Sequence, residues 1–375
     1  MILFYYSVIM TVSSIGVIIY LLFNLNKIKR LKNQPSVVEQ PALAIIVAVR
    51  NEEEDVEKAL QSLCNINYTN HRIIVVNDRS TDRTGEILQR FNHPHLHIIT
   101  LTELPDGWLG KNNALYQGYK NSTEEWMLFT DADIEYHPDA ISKALGYATQ
   151  NNLDHLSILP GTKSRSTLLN SVLATFSIML LMFTRPWDAI KPNRSGSIGV
   201  GAFNLVKRSA YEKAGTHVKI KLRPDDDLKL GQNIKAAGLR QDVLSGGEGY
   251  LSLEWYKNVA QFIAGLMKNS FSVREYNVIR TLGDILAILI TIALPLPVMF
   301  IFGNTDIRLM ACLLLAVQIV YMSVVRPNKW WYALMIPFAA FLMVYILARS
   351  AYITLKQGGI YWRDTFYSLA TLKGK

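Results

Sequence analysis

The sequence WMLFTDAD, from Trp126 to Asp133, joins an apolar run to two carboxylates that are one residue apart. The apolar run predicts a strand that is covered on both faces, and the acidic pair falls where that strand ends. Two carboxylates so close together repel each other, and each has a raised pKa unless a positive group lies between them. The pair Asp131 and Asp133 therefore raises the question of which cation they share.

Further apolar runs of the same kind occur before this stretch. ALAIIVAV (42–49), RIIVVND (72–78) and LHIITL (96–101) each predict a strand, and a helical pattern follows each of them. Alternation of this kind predicts an α/β domain with an open, mostly parallel sheet. Ligands of such sheets bind where the strands end, so the acidic pair lies at the expected binding edge.

The composition favours a membrane protein over a nucleic-acid-binding protein. Hydrophobic residues make up 50% of the 375 residues, and the formal net charge is +9. The basic residues are scattered or flank apolar runs and do not alternate with aromatic residues, so we expect no nucleic-acid partner. A surface that lies against anionic lipid accounts for the charge. Cys64 and Cys312 form neither a disulfide framework nor a metal set.

Residues 1–25 predict a transmembrane anchor, because they carry no charge and are long enough to cross a hydrocarbon core of about 30 Å. A basic cluster at residues 27–32 follows the apolar run instead of preceding it, which disfavours a cleaved signal peptide. The positive-inside rule then places the N-terminus outside and the next domain in the cytoplasm. Residues 26–41, which contain Pro35 and Pro41, predict a linker.

The C-terminal third predicts further membrane segments. Residues 256–283 carry apolar side chains at helical spacing, which indicates an interfacial amphipathic helix or, alternatively, an ordinary core helix. Residues 284–350 hold three apolar runs and predict transmembrane helices, the first of them bent at Pro295 and Pro297. Residues 351–375 form a basic tail, whose charge favours the cytoplasm although three spans would place it outside. The number of spans and the side of the tail stay open.

A second acidic cluster occurs in RPDDDLKLGQNIKAAG, residues 223–238, where three consecutive carboxylates precede a predicted helix. The helix dipole favours acidic residues at this position, which accounts for two of the three. A carboxylate near a reacting hydroxyl can also act as a general base, and the pattern leaves open which of the three would do so.

The apolar run at residues 166–184 is interpreted as a core or interfacial helix, because a span there would place this acidic cluster and Asp131 on opposite sides of the membrane.

Two further residues suit a nucleotide at the same edge of the sheet. Asp78 ends a predicted strand, where an acidic side chain can accept a hydrogen bond from a base or a ribose. Lys111, in GWLGKNNA (107–114), begins a predicted helix and can neutralise a phosphate. Asp131 and Asp133 suit Mg²⁺ or Mn²⁺, because a hard cation is commonly held by one or two carboxylates and the phosphates of a substrate.

Five motifs occur in order along the chain: RNEE (50–53), VNDRSTD (76–82), GWLGK (107–111), TDAD (130–133) and DDLKL (226–230) before a later AAG. This series resembles the family-2 glycosyltransferases, which have the nucleotide-sugar-binding GT-A fold, over residues 42–255. It is similar in particular to membrane-anchored, non-processive members that glycosylate lipids such as carotenoids, hopanoids or ceramide-like acceptors. The Q-x-x-R-W motif of processive members is absent, since the corresponding helix has QFIAGLMKNSF (261–271).

The resemblance implies how the donor is bound. Glu52 and Asp78 would line the base and ribose pocket, and Lys111 would lie near the nucleotide. Asp131 and Asp133 would be the D-x-D motif of the family, with Asp133 as the direct ligand of Mg²⁺ or Mn²⁺.

The resemblance also implies the reaction. Counting back from Ala237-Gly238 places the family's acidic pair on Asp226 and Asp227, with Asp227 as the base and Asp225 at a solvated helix entrance. GVGAFNLVKRSAYEKAG (199–215) resembles the strand and helix that wall the acceptor site. We expect an inverting glycosyltransferase that moves a sugar from a nucleotide-diphospho-sugar, with a UDP-sugar favoured, to the hydroxyl or carboxyl of a membrane lipid. The alternatives are a polyprenyl-phosphate glycosyltransferase, which needs no base, and a non-catalytic scaffold, which would be expected to lack some of these carboxylates.

Overall fold

The computed structural model describes residues 1–162, 164–191, 195–247, 249–362 and 365–373. The chain divides into two compact units. The sheet unit holds residues 28–163 and 184–255, and the helical unit holds residues 1–27, 164–183 and 256–375. Within the predicted basic tail, Arg363 and Lys375 lie outside the described residues.

Within the described residues, the sheet unit has ten strands: β1 (Lys29–Arg30), β2 (Leu43–Val49), β3 (His71–Asp78), β4 (Leu96–Leu101), β5 (Trp126–Thr130), β6 (Glu135–Tyr136), β7 (His155–Thr162), β8 (Asn204–Lys207), β9 (Gln241–Gly246) and β10 (Leu251–Leu253). Their order in the sheet is β1-β9-β7-β8-β5-β2-β3-β4, and β10 pairs with β6 and β7 beyond that path. Most pairs are parallel, whereas β8 runs antiparallel to β5 and β7. The predicted α/β class is confirmed.

Helices cover both faces of the sheet: α2 (Val56–Cys64), α3 (Thr84–Arg90), α4 (Gly110–Lys120), α5 (Ala140–Gln150), α7 (Arg208–Ala214) and α8 (Asp226–Ala236). The helices α1 (Ile2–Leu25) and α6 (Thr167–Thr184) belong to the helical unit. On one face of β2, Ile45 packs in a core with Val56 of α2. On the other face, Ile46 packs with Ala114 of α4 and Leu230 of α8. β2 is apolar throughout because alternate side chains of a strand enter two different cores.

Three neighbouring parallel strands end at the edge of the sheet that concerns function. β2 lies between β3 and β5, and both pairings are parallel. The residues at the ends of these strands therefore reach the same edge, with Arg50 after β2, Asp78 at the end of β3 and Asp131 after β5. This is the edge at which α/β sheets bind ligands.

The segment predicted as a linker packs against the sheet unit from residue 28 onward. β1 pairs in parallel with β9, and Leu31 is fully buried in the core of this unit. The backbone N–H of Val37 donates to the carbonyl oxygen of Ser142 at 2.9 Å. Residues 28–41 are thus part of the fold, and the sheet unit begins before residue 42.

The helical unit continues after α1 and α6 with α9 (Val259–Val273), α10 (Val278–Ile288), α11 (Pro295–Phe302), α12 (Thr305–Val325), α13 (Ile336–Gln357), the hairpin of β11 (Gly359–Trp362) and β12 (Thr365–Ser368), and α14 (Leu369–Leu372). A π-helical turn, Leu289–Ala293, precedes α11 at a bend of 50°. Among the described residues, four helices are long and apolar enough to cross a membrane, or five if the bent pair is one span. The four are Ile2–Leu25, Thr167–Asp188, Thr305–Val325 and Trp330–Gln357.

The predicted amphipathic segment forms α9, and its apolar face is covered by protein. Phe262 and Leu266 are buried in a cluster with Leu169 of α6 and Met343 of α13. The apolar face of α9 is therefore in contact with two other helices, and the interfacial placement of residues 256–283 stays a prediction. Leu169 of α6 packs in this cluster, but α6 is also among the four helices that are long and apolar enough to cross a membrane, so its assignment as a core or interfacial helix stays a prediction.

The helices α1 and α12 begin at the same end of the helical unit. Leu3, in the first turn of α1, packs against a cluster that contains Met299 of α11 and Ile307 of α12. The hydroxyl of Tyr6 donates to the carbonyl oxygen of Ile290 at 2.8 Å. The two helices therefore run in the same direction, and the basic residues that follow each of them lie at the same end.

Candidate active site

The acidic pair after β5 obtains a positive partner from the protein itself. Lys111, in the first turn of α4, places its Nζ 2.7 Å from Oδ1 of Asp131. The same Nζ lies 3.8 Å from Oδ1 of Asp226, at the start of α8. Burial by itself would lower the pKa of Lys111, but the negative charges of Asp131, Asp226 and Asp227 outweigh it and hold that pKa above its ordinary value. Lys111 is therefore an ammonium that links the end of β5 to the start of α8.

Asp133 is less well compensated, and its environment fits a metal ion. Burial, followed by the negative charges of Asp131 and Glu52, raises the pKa of Asp133 to about 7. Among the described residues, no hydrogen-bond partner reaches the buried Oδ1 of Asp133. A divalent cation at this oxygen would neutralise the crowded charge, and carboxylate oxygens suit Mg²⁺ and Mn²⁺. No group of three or more His, Cys, Asp or Glu able to hold a metal occurs in the described part of the chain.

Asp225 corrects one expectation, because it is not at a solvated helix entrance. It is 5% exposed, and Nη2 of Arg223 lies 2.8 Å from its Oδ2. The sequence of the helix N-terminus gives no local sign of this burial. We therefore assign Asp225 a structural ion pair.

Asp226 and Asp227 differ in what holds each carboxylate. Asp226 is 6% exposed, and burial raises its pKa to about 7 although the charge of Lys111 opposes this. Asp227 accepts two backbone hydrogen bonds, from the N–H of Gly201 to Oδ2 at 2.8 Å and from the N–H of Leu228 to Oδ1 at 2.7 Å. Burial also raises the pKa of Asp227. Asp226 thus pairs with a side-chain cation, whereas Asp227 is oriented by the backbone.

Asp78 lies in a buried ion-pair cluster. It is 2% exposed, with Nε of Arg79 at 2.7 Å and Nη1 of Arg50 at 3.7 Å from its carboxylate oxygens. A Cβ on Gly110 would lie 2.2 Å from Oδ2 of Asp78, so a side chain at this position would displace the Asp78 carboxylate. The sequence-based role for Asp78 in a base and ribose pocket stays a prediction.

Glu52 follows β2 and lies on the Asp133 side of the edge. Its backbone N–H donates to Oγ1 of Thr84 at 2.8 Å, which ties the loop after β2 to α3. Its negative charge contributes to the raised pKa of Asp133. The sequence-based role for Glu52 in a base and ribose pocket stays a prediction.

One cavity brings four of the predicted residues together. Its charged lining is Lys111, Asp131, Asp226 and Asp227. The rest of the lining consists of Thr130, Gly201, Asn204, His217, Leu115, Phe129 and Leu230. The cavity therefore places a cation and three carboxylates around one small space, with Glu52, Asp78 and Asp133 outside its lining.

Sequence reasoning misses two polar residues of this lining, Asn204 and His217. The side-chain oxygen of Asn204 contacts the ring Nε2 of the buried His155. Nδ1 of His217 lies 2.5 Å from the hydroxyl of Tyr211, and burial, together with the charge of Lys111, lowers the pKa of His217 to about 3. His217 is therefore neutral at physiological pH. A single histidine in a turn carries no local signal, whereas Asn204 is part of the quoted GVGAFN motif.

Residues 44–215 match the family model described as Glycosyl transferase family 2. The chain carries a family 2 glycosyltransferase domain. The match includes Lys111 and both carboxylates of the D-x-D motif, whereas the carboxylates of α8 lie beyond its end. The resemblance that the sequence motifs indicate is thereby confirmed.

This glycosyltransferase is similar to proteins of known name along nearly its whole length. It is 23% identical to the 4,4'-diaponeurosporenoate glycosyltransferase of Staphylococcus aureus strain N315, with 97% of each chain covered. It is 24% identical to the protein of the same name from Staphylococcus haemolyticus strain JCSC1435, over 64% of this chain and 63% of the relative. The similarity to these relatives and the match to the family model both identify the protein as a glycosyltransferase.

Among solved structures, the glycosyltransferase resembles the mannosyltransferase PcManGT from Pyrobaculum calidifontis, which was solved in complex with GDP-Man and Mn²⁺. The TM-score is 0.59 at 19% sequence identity, and the likeness covers 94% of this chain and 98% of that chain. At this identity the likeness shows the fold alone. The expected GT-A fold is confirmed.

Proposed function

We propose that this glycosyltransferase moves a sugar, with inversion, from a nucleotide-diphospho-sugar to a membrane lipid. The observation that carries the proposal is the cavity in which Lys111, Asp131, Asp226 and Asp227 converge. A departing diphosphate needs positive charge, and an acceptor hydroxyl needs a base, and this lining contains groups for both. The names of the Staphylococcus relatives, which specify a carotenoid acid, support a lipid acceptor.

The donor would be bound by Lys111 and the D-x-D motif. Asp133 and Asp131 would hold Mg²⁺ or Mn²⁺, which when bound stabilises the negative charge of a diphosphate as a Lewis acid. An ammonium has three hydrogens to donate, so Lys111 can keep its contact with Asp131 and also bind a phosphate oxygen. A UDP-sugar is the donor we favour, and GDP-mannose is the second to test because PcManGT was solved with it.

The acceptor hydroxyl would be deprotonated by Asp227. Its two backbone hydrogen bonds fix the carboxylate plane, and each oxygen keeps acceptor capacity, because an ionised carboxylate has about four lone-pair sites. The raised pKa strengthens Asp227 as a base near neutral pH. Asp226 would stay paired with Lys111 and hold that ammonium towards the donor.

The same charges disfavour transfer to a polyprenyl phosphate. A phosphate nucleophile carries its own negative charge, and it would approach three carboxylates that face one lysine in the cavity. Two like unit charges about 4 Å apart repel by about 4 kcal/mol at an effective dielectric constant of about 20. An uncharged hydroxyl avoids this repulsion and makes use of the base. The non-catalytic scaffold is disfavoured because the family domain and every predicted carboxylate are present.

We also propose that the helical unit lies in the cell membrane and that the catalytic domain faces the cytoplasm. Because α1 and α12 run in the same direction, Lys27 after α1 and Arg326 and Lys329 after α12 lie at the same end. Basic loops favour the cytoplasmic side of a membrane. Single cysteines at the exposed residues 33 and 328 should therefore resist a membrane-impermeant thiol reagent in intact cells, with Cys64 and Cys312 replaced by Ser. Labelling of either from outside would overturn this orientation.

Transfer itself is tested with membranes that contain the expressed protein. These membranes are incubated with labelled UDP-glucose, UDP-N-acetylglucosamine or GDP-mannose, and the extracted lipids are analysed by mass spectrometry. One donor should yield a lipid that is heavier by one sugar, and excess chelator should abolish the product. Glu86→Gln, which changes an exposed carboxylate of α3, serves as the matched control for Asp133→Asn. Full turnover in chelator would refute the metal requirement, and no product from any donor or lipid would refute the proposed function.

A further inference from the structure

The segment Ile198–Gly201, called the glycine segment below, lies between the two halves of the proposed site. The backbone N–H of Asp131 donates to the carbonyl oxygen of Gly201 at 3.1 Å. The backbone N–H of Gly201 donates to Oδ2 of Asp227 at 2.8 Å. A single residue therefore contacts the backbone of Asp131 on the donor side and the carboxylate of the base on the acceptor side, through its own backbone alone.

Close approach, rather than unusual backbone angles, requires glycine at position 201. A Cβ on Gly201 would lie 2.6 Å from Oδ2 of Asp131, closer than real Cβ atoms approach an oxygen, and 3.4 Å from Nζ of Lys111. Gly201 is not among the glycines with positive φ. A side chain here would have to displace the carboxylate that Lys111 holds.

The other end of the glycine segment is equally close to α8. A Cβ on Gly199 would lie 1.8 Å from the backbone oxygen of Asp227, and a Cβ on Gly231 would lie 2.0 Å from the backbone oxygen of Ile198. The backbone of the glycine segment thus packs directly on the backbone of the helix that carries Asp226 and Asp227. No side-chain layer separates the two.

The buried side chain of Gln241, in β9, fastens this contact. Its Oε1 accepts a hydrogen bond from the N–H of Ile198 at 2.8 Å, and its Nε2 donates to the carbonyl oxygen of Gly231 at 2.7 Å. Gln241 is fully buried, so water cannot replace either hydrogen bond without a change of packing. One amide group therefore joins the glycine segment, α8 and the sheet.

We propose that the glycine segment, fastened by Gln241, sets the distance between the D-x-D carboxylates and the base, and that Gly201 and Gln241 are positioning residues for transfer. The proposal rests on the proposed function. Its physical basis is that catalytic groups must be held within about 0.5 Å of the productive geometry. Two hydrogen bonds to the backbone of one glycine residue tie the end of β5 to the carboxylate of Asp227.

The main test compares Gly201→Ala with Gly247→Ala. The two substitutions are chemically identical, but a Cβ at Gly247 has no neighbour closer than Oγ of Ser245 at 3.9 Å. We expect Gly201→Ala to lower kcat about 100-fold, since a misplacement of about 1 Å has this effect. We also expect its affinity for Mn²⁺, measured by electron paramagnetic resonance without donor, to fall about tenfold as Asp131 moves. Gly247→Ala should leave both unchanged.

A double variant separates positioning from a general loss of structure. Because the added Cβ would act on Asp131, adding Gly201→Ala to Asp227→Asn should weaken Mn²⁺ binding by the same factor as it does in the wild-type background. Gln241→Met, which keeps the volume and removes both hydrogen bonds, provides a second variant should Gly201→Ala fail to fold. Gln241→Met should lower kcat more than it changes the KM for the donor.

Two results would overturn the proposal: a folded Gly201→Ala protein with the kcat and Mn²⁺ affinity of the wild type, or a Gln241→Met protein with the kcat of the wild type. Failure of the proposed function has a different signature, because the wild-type protein itself would then transfer no sugar. The Mn²⁺ titration needs no turnover, so it tests the effect of position 201 on Asp131 independently of the acceptor.

Discussion

The replacement of Asp227 by Asn tests most directly how the site works. Asn keeps the shape of the side chain but cannot take a proton from an acceptor hydroxyl. It also has one carbonyl oxygen where Asp227 has two acceptors, so either the N–H of Gly201 or the N–H of Leu228 must face an amide NH₂ group. The change should therefore affect turnover strongly and stability moderately.

The expected magnitudes follow from these two losses. Removal of a general base lowers the rate by about 10²–10⁴-fold, which corresponds to about 3–5 kcal/mol of transition-state stabilisation. One buried N–H without an acceptor lowers the free energy of unfolding by about 1–3 kcal/mol. The affinity for the donor should change little, because Lys111 and Asp131 keep their contact.

The assay measures kcat and the KM for the donor from the transfer of labelled sugar into extracted lipid, and donor affinity by calorimetry. Asp226→Asn is one comparison, and it should weaken donor binding more than Asp227→Asn does, because Lys111 loses a partner at 3.8 Å. Asp225→Asn is the other, and it should lower the melting temperature while kcat is retained, because it breaks a buried pair with Arg223.

Two patterns of results would refute this reasoning. If Asp227→Asn kept the kcat of the wild type while Asp226→Asn lost activity, the base would be Asp226, whose pKa of about 7 also suits proton transfer. Loss of donor binding in Asp227→Asn, with kcat unchanged at saturation, would assign Asp227 to the donor side instead.

Three further predictions concern charge in the site. Lys111→Met should lower the melting temperature of the detergent-solubilised protein in chelator, and added Mn²⁺ should restore part of it; equal melting temperatures of variant and wild type would contradict this. Asp133→Asn should weaken Mn²⁺ binding about tenfold or more in a calorimetric titration, and unchanged affinity would remove Asp133 from the metal site. In chelator, the contribution of Asp226 to the free energy of unfolding should fall as pH rises from 3.8 to about 7, because its raised pKa makes the folded state bind more protons at this residue in that window. This contribution is measured as the difference in the free energy of unfolding between the wild type and Asp226→Asn. A contribution that rises with pH over the same window would contradict the raised pKa.

The alternation of apolar runs and helical patterns was sufficient to predict the α/β class and the edge of the sheet where the carboxylates lie. These features are local, because the apolar pattern of a strand and the position of its last residue are set within a few residues of chain. Asp131 could therefore be placed at a strand end, and Lys111 at a helix start, without knowledge of the sheet order. The order of the motifs added the family, which the comparisons confirm.

Amphipathic and acidic patterns were ambiguous for a physical reason. The apolar face of α9 has the same spacing whether it lies on lipid or on protein, and only the structure shows its contact with α6 and α13. In the same way, an aspartate at a helix start is usually solvated, and only the structure shows that Asp225 is buried and paired with Arg223.

The sequence by itself determined which residues could supply charge, and the tertiary structure decided which of them meet. Lys111 comes to lie between Asp131 and Asp226 because β5, α4 and α8 converge at one edge of the sheet, although they are distant along the chain. Gly201 joins Asp131 to Asp227 through its backbone, which has no sequence signature beyond the glycine itself. Pairings of this kind depend on strand order and on backbone-to-backbone distances, and neither quantity is encoded in a local pattern of side chains.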